Sequence, residues 1–187
     1  MKQLYFITSN KGKLVEATQK LHSSGFIVKQ KNLGYPEIQT DSLEEVVMWG
    51  IAHIQERFDK PFIVEDAGLF IETLGNFPGV YSKFVFFSIG LTGVLRLLEG
   101  QDNRKAVFRS VYGYKEPGKE PVIAIGECPG FISHEQRGTY GFGYDPIFIP
   151  EHEHKTFGEM TLEEKNRFSH RAKALEKMIE ILKQNSY

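Results

Sequence analysis

Gln3-Leu4-Tyr5-Phe6-Ile7-Thr8-Ser9-Asn10-Lys11-Gly12-Lys13-Leu14 opens the stretch that decides the fold, and Phe26-Ile27-Val28 closes it. Gln3 to Thr8 is a short apolar, β-prone run, and the small polar residues that follow interrupt it. From Lys13 the period becomes that of a helix, with Leu14, Ala17, Thr18 and Leu21 on one stripe. Phe26-Ile27-Val28 then reads as a second strand. Strand, helix and strand in so short a span is the building unit of an α/β sheet.

Working outward, the same alternation continues and then changes. Ser42-Leu43-Glu44-Glu45 has capping-box spacing and opens a helix to about Arg57. Pro61-Phe62-Ile63-Val64 is a short strand that ends at Glu65-Asp66-Ala67-Gly68. Gly75 to Gly79 reads as loop and Gly90 to Leu98 as helix. Lys105 to Tyr114 and Val122 to Ser133 are β-rich runs joined by Glu116-Pro117-Gly118-Lys119, the pattern of a hairpin. Gly138 to Pro150 is a Gly- and aromatic-rich loop with a brief apolar stretch at Ile147-Phe148-Ile149. Thr161-Leu162-Glu163-Glu164 is a second capping box, and the helix it starts is expected to run nearly to the end, with Phe168, Ala172, Leu175, Ile179 and Leu182 as its apolar stripe. The expectation is an α/β fold: a long mixed, twisted sheet with helices on its faces, and two lobes about a central cleft. No linker or repeat divides the chain, so residues 1–187 are read as a single two-lobed domain.

Composition narrows the function. The chain has 187 residues, 41% hydrophobic and 25% charged, which is ordinary for a folded domain. A formal net charge of -1 gives no global attraction for a long polyanion, so nucleic acid is not an expected partner and any phosphate must be bound locally. The one cysteine, Cys128, lacks the spacing of a zinc or redox motif. Leu4-Tyr5-Phe6-Ile7 is too short for a membrane or signal segment, so no membrane partner is expected and the cytoplasm is the expected location.

Five segments carry residues suited to chemistry. Thr8-Ser9-Asn10 precedes a helix N-terminus, where backbone N–H groups and the helix dipole favour a phosphate. Asn10, Lys13 and Glu16 follow at i, i+3 spacing on a face apart from the apolar stripe; ordinary N-capping by Ser9 or Asn10 is the plainer reading, and no Walker loop is present. Glu65-Asp66 is a carboxylate pair able to hold a hard divalent cation and orient a water, with Glu37 and Glu16 as candidate third carboxylates; a solvated Asp-containing turn is its alternative. Gly75-Asn76-Phe77-Pro78-Gly79 is followed closely by Lys83, a surface cation after a turn. Gly141-Phe142-Gly143-Tyr144-Asp145 sets aromatic faces beside a carboxylate, suited to stacking on a base or to core packing. Lys165, Ser169, His170 and Arg171 lie beside an apolar helix stripe, as ligand donors or as a solvated face. His152 and His154 lack a third ligand at metal spacing and read as exposed loop.

In order, the segments Thr8-Ser9-Asn10-x-x-Lys13-x-x-Glu16, Glu65-Asp66-Ala67-Gly68-Leu69, Pro78-Gly79-Val80-Tyr81-Ser82-Lys83-Phe84, Gly141-Phe142-Gly143-Tyr144-Asp145-Pro146 and Glu159-Met160 through Lys165-Asn166 to Ser169-His170-Arg171 resemble the Ham1-type inosine/xanthosine triphosphate pyrophosphatases. The resemblance spans almost the whole chain. It implies a homodimer with a nucleotide cleft, and Mg²⁺-dependent hydrolysis (Mn²⁺ a possible substitute) of purine nucleoside triphosphates such as ITP, dITP and XTP to monophosphate and pyrophosphate. Thr8, Ser9, Asn10, Lys13 and Lys83 would then bind the triphosphate, Glu37, Glu65 and Asp66 the metal, and Asp66 would be the base. Phe142, Gly143, Tyr144, Asp145, Lys165, Ser169, His170 and Arg171 would contact the base and nucleoside. The chain departs from the family pattern at Ala67, at Gly158 and at Trp49-Gly50. A related-fold enzyme acting on modified pyrimidine nucleotides, or a non-catalytic nucleotide-binding module, are the alternatives.

The chemistry such an enzyme needs is simple to state. Water attack on phosphorus requires an oriented nucleophile and neutralised phosphate oxygens. Hypoxanthine and xanthine present an acceptor at position 6 and adenine a donor, so a donor from His170 or Arg171 aimed there disfavours adenine by roughly 1–3 kcal/mol.

Overall fold

The computed structural model describes residues 2–36 and 38–184. Seven strands form one sheet: β1 (Lys2–Ile7), β2 (Phe26–Lys31), β3 (Phe62–Ile71), β4 (Pro78–Gly79), β5 (Lys105–Lys115), β6 (Val122–Ile132) and β7 (Phe148–Pro150). Their order is β2-β1-β3-β5-β6-β7, with β4 added on β3. β1 is parallel to β2 and to β3, while β3–β4 and β6–β7 are antiparallel, so the sheet is mixed as expected. β5 and β6 are neighbours joined by residues 116–121, too few for a parallel crossover. The helices are α1 (Lys11–Ser23), α2 (Leu43–Gln55), α3 (Ser82–Leu97), α4 (Leu162–Lys165) and α5 (His170–Gln184).

The chain makes two compact units. One comprises the residues up to Asp66, Ser110–Gly126 and those from Arg171 onward; the other comprises Ala67–Arg109 and Glu127–His170. In the first, Leu4 and Phe6 of β1, Ala17 and Leu21 of α1, Ile63 of β3, Tyr112 of β5 and Leu175, Met178 and Ile179 of α5 share a core. The inward positions Leu4 and Phe6 of β1 and the α1 stripe produce it, each fully buried large side chain contributing about 1.5–3 kcal/mol. Thr18, expected on that stripe, is exposed, whereas Glu16 is buried. In the second unit, Leu69 and Ile71 of β3, Val85 and Val94 of α3, Phe108 of β5 and Phe148 and Phe157 form the core.

Three elements differ from the sequence reading. β3 does not stop at Glu65 but runs through Glu65-Asp66-Ala67-Gly68 to Ile71, because partners from other elements satisfy the inward carboxylate. The helix expected from Gly90 begins eight residues earlier, at Ser82, and Gly90 marks a break inside it (φ 65°, ψ -173°), a backbone that essentially only glycine adopts. The helix opened by the Thr161 capping box lasts one turn, and α5 starts afresh at His170. Phe168 therefore packs with the second unit's core, while Ala172, Leu175, Ile179 and Leu182 pack with the first's.

Candidate active site

In the first unit, the turn from β1 to α1 is held by its own side chains. The Asn10 N–H donates to Thr8 Oγ1 (3.1 Å), and Asn10 Oδ1 caps α1 by accepting from the Lys13 N–H (3.1 Å). The cap fixes where the helix starts, and so sends the Lys13 side chain back to β3. There Lys13 Nζ donates to the Glu65 carbonyl (3.2 Å) and lies 2.8 Å from Glu65 Oε2 and 3.6 Å from Asp66 Oδ1. Ser9 is exposed beside this cap.

Glu65 is completely enclosed and held from several elements. Ser110 Oγ of β5 donates to Glu65 Oε1 at 2.7 Å, and Arg171 Nε of α5 donates to the same oxygen at 3.1 Å. Arg171 Nη1 also pairs with Glu16 Oε2 of α1 at 3.5 Å, which accounts for the burial of Glu16. Burial alone would raise the Glu65 pKa; the charges of Lys13 and Arg171 and the Lys13 and Ser110 contacts outweigh it and hold the carboxyl below its ordinary value. Tyr112, two residues beyond Ser110 on the same face of β5, is fully buried and its hydroxyl has no hydrogen-bond partner among the described residues. Burial first, then the nearby Glu65 and Glu16 charges, push its pKa well up, so it stays neutral.

The donor set suits a divalent cation. Glu65 Oε2 is near Lys13 Nζ but off the direction of a hydrogen bond and has no other partner among the described residues, which leaves a lone pair available. The Asp66 side chain is 27% exposed, unlike Glu65. Three carboxylates (Glu16, Glu65, Asp66) face two cations (Lys13, Arg171), one negative charge in excess when all are ionised. Among the described residues no three His, Cys, Asp or Glu side chains converge as a ready metal cluster, and Glu37 lies outside the described residues.

In the second unit a different cluster forms. Lys165 Nζ and Asp145 Oδ2 make a 2.7 Å ion pair in which both side chains are almost fully enclosed. The same Oδ2 accepts from the Phe142 N–H at 2.8 Å, closing the 142–145 turn. Gly141 is needed there: it has φ 73°, and a Cβ would fall 2.0 Å from Asp145 Oδ2. Lys165 Nζ sits 5.2 Å from the ring centres of both Phe142 and Phe157, so one cation aligns two aromatic faces. Phe142 is half-buried and Gly143 beside it is partly open. Tyr144 turns inward, its hydroxyl donating to the Ser82 carbonyl at 2.7 Å. Ser169 and His170 are fully buried, and the His170 ring lies parallel to Phe108 (4.5 Å, 10°). Lys83 is exposed on the first turn of α3.

The sequence matches the Ham1 family over residues 4–181. This chain belongs to the Ham1 family. A dITP/XTP pyrophosphatase of Methanopyrus kandleri is 54% identical over 98% of this chain and 97% of its own length, and one of Pyrococcus horikoshii is 51% identical over 98% of each. Among solved structures, a HAM1 protein from Coxiella burnetii superposes with a TM-score of 0.83 at 28% identity, covering 98% of this chain and all of that one. The α/β architecture with its long mixed sheet is that of Ham1 proteins.

The Ham1 motifs thus fall into two sets. Thr8, Ser9, Asn10, Lys13, Glu65, Asp66 and Arg171 belong to the first unit; Lys83, Phe142, Gly143, Tyr144, Asp145, Lys165, Ser169 and His170 belong to the second. The sequence reading grouped Arg171 with the base-contacting residues, and the structure puts its guanidinium on Glu65 and Glu16. It did not single out Ser110, Tyr112, Phe108 or Phe157. The one signal for Ser110 was a hydroxyl at an inward position of a strand, between Phe108 and Tyr112, where an apolar residue is the norm.

Proposed function

We propose that this chain is a nucleoside triphosphate pyrophosphohydrolase that converts dITP and XTP, and by the same chemistry ITP, to the monophosphate and pyrophosphate, clearing non-standard purines from the nucleotide pool. The observation that carries the reading is the carboxylate pair Glu65-Asp66 next to Lys13 at the capped start of α1, in a Ham1 chain about half identical to dITP/XTP pyrophosphatases.

Each residue has a definite task in this reading. The α1 N-terminus and Lys13 bind the phosphates, joined by Thr8, Ser9 and Asn10 on the same turn and by Lys83. Asp66, the more exposed of the pair, accepts a proton from the attacking water and orients it. Glu65, fixed by Ser110 and Arg171, keeps the strand and its neighbour in register. Glu65 and Asp66, with Glu37, would hold a divalent cation, Mg²⁺ or Mn²⁺, which when bound neutralises phosphate oxygens. One net negative charge at the site favours that ion, and the ion in turn favours the triphosphate.

Phe142 stacks on the base, its other face steadied by Lys165. Asp145 and Lys165 shape that platform, and Ser169 and His170 read the base edge. In this reading residues 1–187 are a single two-lobed domain, and the phosphate-binding and base-binding sets meet in sequence at His170-Arg171. Homodimerisation, which Ham1 kinship suggests, and a cytoplasmic location complete the proposal; among the described residues no helix is long and apolar enough to cross a membrane.

Purified protein with Mg²⁺ is given dITP, XTP, dATP, dGTP and UTP, and the products are separated by ion exchange. dIMP and XMP with pyrophosphate, formed much faster than any product of dATP, are expected. Orthophosphate with dIDP, or equal rates on every substrate, would overturn the assignment.

A further inference from the structure

We infer that Phe108 is a positioning residue for base selection: its ring sets the plane of the His170 imidazole and thereby the direction of the hydrogen bond that separates 6-oxo from 6-amino purines. This rests on the function proposed above and adds to it a residue outside all the Ham1 motifs quoted for this chain.

The geometry is specific. Phe108 and His170 are 4.5 Å apart between ring centres and 10° from parallel, the closest to parallel of the ring pairs about this cluster. His170 is fully buried and Phe108 nearly so. Phe108 is held in turn by Phe148 (4.6 Å, 58°) and by its place in β5, so the stacking surface does not follow the histidine. Phe157 flanks the imidazole from another side (6.5 Å, 36°). An imidazole N–H lies in the plane of its ring, and a hydrogen bond weakens steeply as its angle departs from linear. Fixing the plane therefore fixes the plane in which that N–H points. A leucine or methionine at position 108 would fill much of the volume and bury similar area, but offers no flat surface, so the imidazole could tilt about χ2 and carry its N–H off the line to a 6-oxo group.

The test compares kcat/KM for dITP and dATP in the wild type, Phe108→Leu and Phe108→Met, with thermal melts alongside. The expected result is a dITP:dATP ratio about tenfold smaller in both variants, because the 6-oxo base loses its aligned hydrogen bond while the 6-amino base, which made none, loses nothing. Phe108→Tyr, which keeps the ring, retains a ratio within about twofold of wild type. A role confined to packing lowers both substrates in parallel and leaves the ratio unchanged; that result overturns the inference. If either apolar variant fails to fold, the other decides. Should the wild type not hydrolyse dITP at all, the proposed function fails; a wild type active on dITP with unchanged ratios in the variants removes only the role of Phe108.

Discussion

Asp145→Asn isolates the most enclosed charge pair among the described residues. Asp145 and Lys165 have side-chain exposures of 2% and 3% and are 2.7 Å apart. The amide keeps an oxygen for the Phe142 N–H and nearly the same shape, so the principal change is the lost charge. A buried cation then loses this counter-charge, which costs about 3–5 kcal/mol. For a chain of this length roughly 2–4 °C of melting temperature accompanies each kcal/mol, so Asp145→Asn is expected to melt roughly 6–20 °C below wild type. Lys165→Met strands the carboxylate instead and should cost about as much. The double variant Asp145→Asn, Lys165→Met strands nothing, and its loss should be only about 1–2 kcal/mol, less than either single change. Thermal melts of all four proteins close the cycle. If the two single losses simply add in the double variant, the pair is not coupled, and the account of the Phe142 platform as built on it is refuted. The double variant should still bind dITP poorly, because the cation that steadies Phe142 is gone, and stability and binding would separate.

Three further outcomes follow from the first unit and from α3. Asp66→Asn should lower kcat by about 10²- to 10⁴-fold in a pyrophosphate-release assay while leaving the melting temperature within a few degrees; turnover near wild type would remove Asp66 from the chemistry. The folded pKa of Glu65 is depressed from 4.5, so its contribution to stability is present above that value and is lost as pH falls through the folded pKa. Melts from about pH 7 down to about pH 3 should show a shallower acid decline in Glu65→Gln than in wild type, and parallel curves would contradict the ion-pair account. Gly90→Ala forces a side chain into a backbone suited to glycine, and a loss of about 1–3 kcal/mol in denaturant unfolding is expected; a neutral effect would mean α3 does not need its break.

How much of this was legible in the sequence depends on the range over which each feature is decided. The β1–α1–β2 unit was readable because an apolar strand run, a cap and a helix period are all local: of Ser9 and Asn10, the two caps the turn offered, Asn10 caps α1. The Thr161 box was also readable, and both of its reciprocal bonds are present. The length of the helix after it was not, since what ends α4 and restarts α5 at His170 is the demand of two different cores on Phe168 and Ala172. Ser82 to Ile89 shows no polar and apolar alternation to read, with Phe84 and Phe87 exposed and Val85 buried on one helix. Its start is set by tertiary bonds: Ser82 Oγ accepts from the Leu69 N–H and donates to the Gly79 carbonyl.

The same distinction explains why the motifs named the family while missing half of the site's support. A motif records groups that meet the substrate, and the Ham1 motifs of this chain lie on loops, in mid-strand and at helix starts. Ser110, Phe108 and Tyr112 lie at alternate positions of β5, on one face, and a strand face of apolar residues interrupted by one serine looks like any core face. Yet Glu65 enters a fully buried position in mid-strand only because Ser110 and Arg171 satisfy one oxygen and Lys13 neutralises the other. Without those partners a buried carboxylate would protonate or force the strand to end, which is the outcome the local sequence suggested. The continuation of β3 through Glu65-Asp66 is therefore a consequence of the ion network, and the position of Asp66 at the edge of solvent is a consequence of that continuation.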